Sequence, residues 1–158
     1  MQQLALHQIT MMEGGPQGLV RFAAEMDIDR VCLFTASPRH GDGTAMFPFV
    51  DPNDARSFRK LLRETGVRII NAEYFPVMPG CDVEAYRPSI ARAADLGAKR
   101  IVTHNHETDP SRTRDQLSSL CMIAAENGLG VGLEFTGFSG GCDSLLVAAA
   151  LHARVNQP

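Results

Sequence analysis

The sequence predicts an α/β domain in which helices connect the strands of a parallel sheet. Three observations support this fold class. Five short apolar runs bounded by glycine, aspartate or proline have the length of strands, amphipathic stretches separate them, and the spacing leaves room for one strand, one helix and two loops per unit. No low-complexity segment or change of composition divides the 158 residues, so we expect a single domain over residues 1–158.

The five predicted strands are too short to be helices and are enriched in residues that favour β-structure. They cover residues 4–10, 30–35, 67–72, 100–104 and 130–135. Because strands and helices alternate strictly, we expect neighbouring strands to run parallel and to be joined by helical crossovers.

The first helix is expected to begin at Pro16, since proline is favoured in the first helical turn. Its periodicity predicts a buried face formed by Leu19, Phe22, Ala23 and Met26. This face would attach the helix to the sheet.

Aspartate residues mark the beginnings of the next three helices. Asp51 and Asp109 each precede a proline, and Asp82 precedes the third helical pattern. Pro88 lies inside that third pattern and should delay the start of the helix or kink it. A fifth helix is expected over about residues 143–154.

Five such units fit two architectures. An open, doubly wound sheet is complete with five strands. A (β/α)₈ barrel needs eight strands and about 250 residues, so this chain would supply about five of the eight units and be part of a longer protein. The length favours the open sheet. The polar residues at the strand ends favour the partial barrel, because barrels draw their sites from several strand ends.

Composition excludes several function classes. The net charge of -3 and the absence of a basic run argue against a nucleic-acid partner. The purest apolar run, residues 145–151, is far shorter than the roughly 20 residues of a membrane helix. The N-terminus shows no secretory signal, and the four cysteines are widely spaced, so we expect reduced thiols in a cytoplasmic protein.

Glu134 is the first candidate for chemistry. In the fifth strand, alternation places Val131, Leu133 and Phe135 on one face and Gly132 with Glu134 on the other. The apolar face suits the helix layer, so Glu134 should point to the other side of the sheet near the carboxyl end of the strand. A carboxylate there must be paired, protonated or bound to a cation, and a simple salt bridge at the strand end is the plainer alternative.

Two other strand ends carry polar pairs. His104 and His106 lie two residues apart, so their imidazoles can bind the hydroxyl groups of a substrate or, as an alternative, a metal. Asn71 and Glu73 repeat this arrangement on the third strand and are expected to line the same site. These four residues are the candidate substrate-binding group.

Several other kinds of site are absent or weakly indicated. The sequence contains neither G-x-G-x-x-G nor G-x-x-x-x-G-K-[ST], which disfavours a nucleotide, and it contains no G-x-S-x-G nucleophile motif. The glycine-rich loop at residues 137–141 offers backbone amides to a phosphate group near a helix start, but no basic residue stands beside it.

Two segments carry a resemblance to a known family: Leu-Gly-Ala-Lys-Arg-Ile-Val-Thr-His at residues 96–104 and Gly-Leu-Gly-Val-Gly-Leu-Glu-Phe at residues 128–135. They resemble the xylose isomerase-like TIM-barrel superfamily and, more narrowly, its bacterial sugar phosphate isomerase/epimerase proteins. Residues 71–76 and the loop 136–139 also fit this group. The resemblance extends over essentially the whole chain and implies a barrel with its site at the carboxyl ends of the strands.

The resemblance also implies a divalent metal, commonly manganese, magnesium, cobalt or zinc. Family members hold it with a glutamate on the fifth strand, an aspartate on the sixth, a histidine on the seventh and a glutamate on the eighth. Glu134 matches the first ligand and is therefore the expected metal ligand and catalytic residue. The other three have no counterpart in this sequence, which ends at Pro158 after the fifth helix.

The function implied by the resemblance is isomerisation or epimerisation of a small sugar or sugar phosphate by proton transfer through an enediolate. A dehydratase of a polyol or hydroxy-acid on the same fold is one alternative. A domain without catalytic activity that binds a small ligand or a partner is another. Sheet edges left open in a partial barrel invite association, so a homo-oligomer is also expected as a way to cover them.

Overall fold

The computed structural model describes residues 4–155. The first three residues, in which the sequence shows no secretory signal, lie outside this range, and so does the chain end at Pro158. The strands are β1 (Leu6–His7), β2 (Arg30–Phe34), β3 (Arg68–Glu73), β4 (Arg100–His104) and β5 (Gly130–Glu134). The α-helices are α1 (Gly15–Glu25), α2 (Ala55–Thr65), α3 (Arg87–Asp95), α4 (Pro110–Glu126) and α5 (Leu145–Val155). Short 3₁₀ segments lie at Gln8–Gly14, Pro52–Asp54 and Val83–Tyr86.

The strand order identifies the architecture. All five strands are parallel, and each pairs with the strand that precedes it in the chain, in the order β1-β2-β3-β4-β5. Right-handed crossovers that always step in the same direction place every helix on the same face of the sheet. A doubly wound sheet reverses direction at a switch point, and no reversal occurs among the described strands. The open doubly wound alternative is therefore wrong, and the partial barrel is confirmed.

The hydrophobic core fills the space between the helices and one face of the sheet. Its strand residues include Val31, Leu33, Ile69, Ala72 and Ile101, each 1% exposed or less. The helices add apolar residues that face them: Leu19, Ala23, Phe58, Ile90 and Leu120. The opposite face of the sheet, which would face the barrel interior, carries polar and aromatic residues at the strand ends, together with Cys32 and Val102.

An irregularity in β3 decides which of its residues reach that interior face. Pairing with β2 passes from Val31–Ile69 to Cys32–Asn71, so Ile70 is an extra residue in the strand. Ile69 and Ala72 can consequently both pack against the helices. Asn71 and Glu73 then share the interior face, as the sequence predicted.

The first strand is much shorter than predicted. Only Leu6–His7 pairs with β2, and the chain then turns into a 3₁₀ segment. The backbone amide of Ile9 donates to Nδ1 of His7, and the hydroxyl of Thr10 donates to its carbonyl oxygen. These local bonds replace the ladder that the predicted strand over residues 4–10 would have formed.

The buried face of α1 also differs from the prediction. Leu19 and Ala23 are fully buried, but Phe22 is 41% exposed and Met26 is 57% exposed. The buried stripe runs through Gly15, Pro16, Leu19, Val20 and Ala23, so Phe22 lies to one side of it and Met26 follows the last turn. The prediction for Phe22 and Met26 was wrong.

The later helices begin close to where the capping residues place them. The carboxylate of Asp109 accepts a hydrogen bond from the amide of Arg112 at 2.8 Å, which caps α4. Pro88 delays the third helix as predicted, since a 3₁₀ turn capped by Asp82 precedes α3 and Pro88 lies in its first turn. Within residues 4–155, no helix has the length and apolar character needed to cross a membrane.

Candidate functional site

A cavity of about 320 Å³ lies at the carboxyl ends of the strands, on the interior face of the sheet. Its lining combines two carboxylates with aromatic and imidazole rings. The titratable side chains that line it are those of His7, Glu73, Tyr74, His104 and Glu134. A second cavity of similar volume lies between α4, α5 and β5, and most of its lining residues are apolar. The first cavity is therefore the candidate site.

Glu134 and His104 form the first acid–imidazole pair of the site. They occupy matching positions at the ends of the adjacent strands β5 and β4, and Nε2 of His104 lies 3.0 Å from Oε2 of Glu134. The Glu134 side chain is 53% exposed and that of His104 is 12% exposed. Glu134 can thus reach a ligand while the more buried imidazole holds its carboxylate in place.

Glu73 and His7 form a second pair across the cavity. Oε1 of Glu73 lies 3.4 Å from Nε2 of His7, and Glu73 is only 4% exposed. The intervening strand β2 contributes Phe34, whose backbone pairs with that of Glu73. Since β4 separates the strands that carry Glu73 and Glu134, the two carboxylates stand on different sides of one cavity.

Aromatic rings form a continuous row around the opening. Phe34 stacks on Phe47 with ring centres 5.0 Å apart, and Tyr74 meets the edge of His104 at 4.9 Å. Phe138 lies 6.0 Å from His104 and is 75% exposed. A site with this lining presents flat apolar surfaces beside its two carboxylates.

Two of the predicted binding residues do not line the cavity. His106 stacks on Phe138 with ring centres 6.4 Å apart, and burial, with a smaller effect from His104, lowers its pKa. Asn71 lies two residues before Glu73, opposite Cys32 and Arg100, and is deeper in the sheet. The structure thus brings Glu73, His104 and Glu134 together, and the binding roles of His106 and Asn71 stay predictions.

A buried hydrogen-bonded cluster holds the two loops that flank the site. Nδ2 of Asn105 donates to the carbonyl oxygens of Glu107 and Gly141, and the hydroxyl of Ser139 donates to the carbonyl oxygen of Asn105. The carboxylate of Glu107 accepts from the guanidinium of Arg112 at 2.9 Å. The loop after β4 and the loop after β5 are therefore fixed to each other, which positions Phe138.

The described residues do not fit a complete metal centre. Across residues 4–155, no group of three or more histidine, cysteine, aspartate or glutamate side chains is arranged to hold a metal ion. Glu134 and His104 bring two donor groups together, but at 3.0 Å they contact each other. Glu134 as a metal ligand stays a prediction.

None of the four cysteines in the described part of the chain forms a disulfide. Cys32, which precedes Leu33 and Phe34 in β2, is buried. Burial, with a further contribution from the charge of Glu73, raises the pKa of its thiol to about 11. Cys32 is therefore protonated at neutral pH and is a poor nucleophile.

Several lining residues were not identified from the sequence. His7 belongs to the site through its contact with Glu73. In the sequence, a single histidine in a short strand is only a weak indication of a binding site. Phe47, Tyr74 and Phe138 lie in loops after β2, β3 and β5, where no periodicity indicates direction. Only Tyr74 and Phe138 lie close to strand ends, which could have pointed to the site.

The same fold occurs in solved structures of xylose isomerase-like TIM barrels. A xylose isomerase domain-containing protein from Salmonella typhimurium LT2 matches with a TM-score of 0.79 at 16% identity, over 99% of this chain and 58% of that one. The IolI protein, solved with a bound zinc atom, matches with a TM-score of 0.76 at 14% identity, over 99% and 60%. A sugar phosphate isomerase/epimerase from Parabacteroides distasonis ATCC 8503 matches with a TM-score of 0.54 at 13% identity, over 82% and 50%.

These similarities show the fold of the chain, which is that of five consecutive units of a TIM barrel. The resemblance predicted from the sequence is thereby confirmed for the fold. The chain spans 58% and 60% of the length of the first two structures. No protein-family model matches the sequence, and no curated protein matches it.

Proposed function

We propose that these five units form part of the active site of an isomerase or epimerase that acts on a sugar-like hydroxy-ketone or hydroxy-aldehyde. The observation that carries the proposal is the Glu134–His104 pair at the carboxyl ends of β5 and β4, which is where barrels of this fold place their chemistry. The zinc atom and the isomerase/epimerase name belong to the similar structures, and they support the proposal through the shared fold alone.

The proposed reaction is proton transfer next to a carbonyl group. The carboxylate of Glu134 removes the proton from the carbon beside the carbonyl and the enediolate forms. Return of the proton to the neighbouring carbon, with transfer of the hydroxyl proton to the former carbonyl oxygen, gives an isomer. Delivery of a proton to the opposite face of the same carbon by an acid on that face gives an epimer. His104 positions the carboxylate, because its Nε2–H tautomer donates to Oε2 of Glu134 at 3.0 Å.

Glu73 and His7 are suited to binding hydroxyl groups. Glu73 is held by His7 on the far side of the cavity, and its second carboxylate oxygen is free of that contact. A sugar hydroxyl can donate to such an oxygen, which fixes the ring or chain relative to Glu134. Glu73 would thereby select the position of the carbon that loses its proton.

Unpaired polar atoms beside the pair also favour a ligand site. Nδ1 of His104 and the hydroxyl oxygen of Thr136 are buried and have no hydrogen-bond partner among the described residues. Buried polar atoms without partners cost free energy and are concentrated at functional sites. A ligand or an ordered water molecule at this end of the sheet would supply the missing hydrogen bonds.

The proposal is tested by hydrogen exchange at carbon. The protein is incubated in deuterated water with a panel of aldoses, ketoses and their phosphate esters, and proton NMR follows loss of the signal next to the carbonyl. We expect at least one sugar to exchange, and Glu134→Gln to slow that exchange by about a hundredfold or more. Glu64→Gln is the matched control, because Glu64 lies on α2 and pairs with Lys60 at the surface.

Two outcomes would contradict the proposal. The first is an absence of exchange with every sugar in the panel. The second is exchange at an unchanged rate in Glu134→Gln. Loss of a hydroxyl group from the sugar, seen as a new keto product in the same spectra, would instead identify a dehydratase.

A further inference from the structure

We propose that the amino-end face of the sheet carries a second ligand site, which binds a small organic anion with an apolar body. The site is a cavity of about 300 Å³ between the C-terminal ends of α2 and α3 and the start of β3, hereafter the amino-end cavity. Three arginines, Arg59, Arg63 and Arg68, line it together with apolar side chains. The proposal does not depend on the function proposed above.

The amino-end cavity is separate from the site at the carboxyl ends of the strands. Arg68 begins β3 and Glu73 ends it. The strand is six residues long, and at about 3.3 Å per residue its two ends lie roughly 17 Å apart. No described residue lines both cavities. A ligand in the amino-end cavity would therefore leave the carboxyl-end site free.

Positive charge dominates the rim of the amino-end cavity. Arg59 and Arg63 lie one turn apart on α2, and Arg68 follows at the start of β3. Within residues 4–155, the guanidinium of Arg63 has no ionic or hydrogen-bonded partner. A carboxylate or phosphate group is the natural partner of such a guanidinium, since both oxygens can accept from its fork of N–H groups.

Two aspartates near the rim offset this charge only in part. Oδ2 of Asp95 lies 3.5 Å from Nη2 of Arg59, and both side chains are exposed to solvent. Asp29 pairs with Arg68 and also lies 3.6 Å from Arg30, so one carboxylate is shared between two arginines. Exposed pairs of this kind are weak and exchange readily with a ligand.

The positive charge is concentrated in one short segment of an otherwise acidic protein. Residues 55–68 contain one acidic side chain, Glu64, whereas the whole chain has a net charge of -3. The basic side chains of this segment are Arg56, Arg59, Lys60, Arg63 and Arg68. Such a local concentration of charge attracts anions to this surface.

The floor of the amino-end cavity favours a ligand with an apolar part. Four side chains that are each at most 8% exposed form this floor: Leu62, Val67, Ile69 and Leu96. Gly66 and Gly97 follow the two helices, and a Cβ atom at either would meet nothing within 4 Å. The space above the floor is therefore open. An apolar body resting there would bring its acidic groups to the guanidinium groups of the rim.

The end of α2 offers a simpler role for Arg63 alone. The C-terminal end of a helix carries partial negative charge, which a basic residue in the last turn complements. This effect does not account for Arg68, which belongs to a different element and lines the same cavity. The convergence of arginines from two elements above one apolar floor is the observation that carries the proposal.

The test is a titration of ¹⁵N-labelled protein at low ionic strength, followed by the amide NMR signals. Phthalate and phenyl phosphate carry acidic groups on an aromatic body, and malonate and inorganic phosphate carry the same groups without it. We expect at least one aromatic probe to shift the signals of residues 62–69 and 96–97. Its counterpart without the ring should bind about fivefold or more weakly, because no apolar surface is buried. The tighter of the two aromatic probes identifies the acidic group that the site prefers.

One variant and a matched control connect this binding to the rim. Arg63→Gln should weaken binding of the aromatic probe by about fivefold or more, because it removes the unpaired guanidinium. Arg56→Gln removes the same charge from the exposed face of the same helix, but Arg56 does not line the cavity, so affinity should change by less than about twofold. Both side chains are exposed, and circular dichroism establishes that each variant is folded.

Three outcomes would overturn the inference. The first is an absence of shifts at residues 62–69 and 96–97 with every probe. The second is equal weakening by Arg56→Gln and Arg63→Gln, which would show attraction to the general charge of α2 rather than a site. The third is equal binding of each aromatic probe and its counterpart, which would exclude the apolar floor. None of these measurements uses a sugar or the exchange of a carbon-bound proton, so the proposed function is tested separately.

Discussion

The side-chain amide nitrogen of Asn105 lies 3.1 Å from the carbonyl oxygen of Gly141, which joins the loop after β4 to the loop after β5. Asn105 is fully buried, and the same nitrogen also donates to the carbonyl oxygen of Glu107. The two loops therefore behave as one unit beneath Phe138. The placement of the aromatic ring at the opening of the cavity depends on this contact.

Gly141→Ala should destabilise the protein. A Cβ atom at residue 141 would fall well inside contact distance of the carbonyl oxygen of Glu107 and the side chain of Asn105, and backbone atoms there cannot move independently. We expect a loss of about 1–3 kcal/mol in the free energy of unfolding, measured by urea denaturation. Gly137→Ala is the control, because a Cβ atom there meets nothing within 4 Å. Equal stability of the two variants would show that the loops are not joined as described.

Glu107 should make stability depend on pH in the acid range. The hydrogen bond from Arg112, with those from the amides of Asp109 and Thr108, lowers the pKa of Glu107 to about 2. Because its pKa is lowered in the folded state, the carboxylate stabilises the fold above the pKa of the unfolded chain, and this contribution is lost as the pH falls towards about 2.

Urea midpoints of the native protein and Glu107→Gln, measured between about pH 6 and about pH 2.5, test this expectation. The native protein should be the more stable at the upper end, and the difference should shrink as the pH falls. A difference that stays constant across the range would contradict the role of the ionised carboxylate. The surface substitution Glu64→Gln serves as the control, since exposed pairs such as Lys60–Glu64 contribute little.

Phe138→Ala should separate ligand binding from stability. The ring is 75% exposed, so its removal should change the free energy of unfolding by less than about 0.5 kcal/mol. The same substitution removes one wall of the cavity, so we expect sugar affinity to fall severalfold in an NMR titration. Leu146→Ala, which removes an apolar side chain of 83% exposure outside the cavity, should leave affinity unchanged. Equal affinities for the native protein and Phe138→Ala would exclude the ring from the site.

Treatment with a chelator should leave the fold intact. The described residues 4–155 contain no group of three or more metal-binding side chains, and the core lies between the helices and the sheet. We therefore expect the same melting temperature before and after dialysis against EDTA, measured by circular dichroism. A clear drop that zinc or manganese restores would show a structural metal that these residues do not account for.

Local sequence patterns were sufficient to predict most of the sheet. β4 coincides with its predicted range, β2 and β5 are one residue shorter at one end, and β3 is shifted by one residue at both ends. Alternation in β5 placed Glu134 on the interior face because period two is a strong signal in a short strand. The extra residue Ile70 was not visible, since it follows from pairing between β2 and β3, which no local pattern encodes.

The aromatic part of the site was not predictable for a similar reason. Phe47 reaches the cavity from a loop whose position depends on tertiary contacts, among them the bond from its amide to the hydroxyl oxygen of Ser37 at 2.9 Å. His7 lies in a strand of two paired residues, and its contact with Glu73 joins residues far apart in the chain. Strand-end carboxylates can be identified from sequence, whereas the rings that complete the cavity require the fold.

The order of the strands also bears on how the chain is made. Each strand pairs with the strand that precedes it, so its partner has already been synthesised when it leaves the ribosome. In a doubly wound sheet, by contrast, an early strand pairs on one side with a strand that is synthesised later. At any moment only β1 and the newest strand have an edge without a neighbour among the described strands, which limits the unpaired backbone that a nascent chain exposes to aggregation.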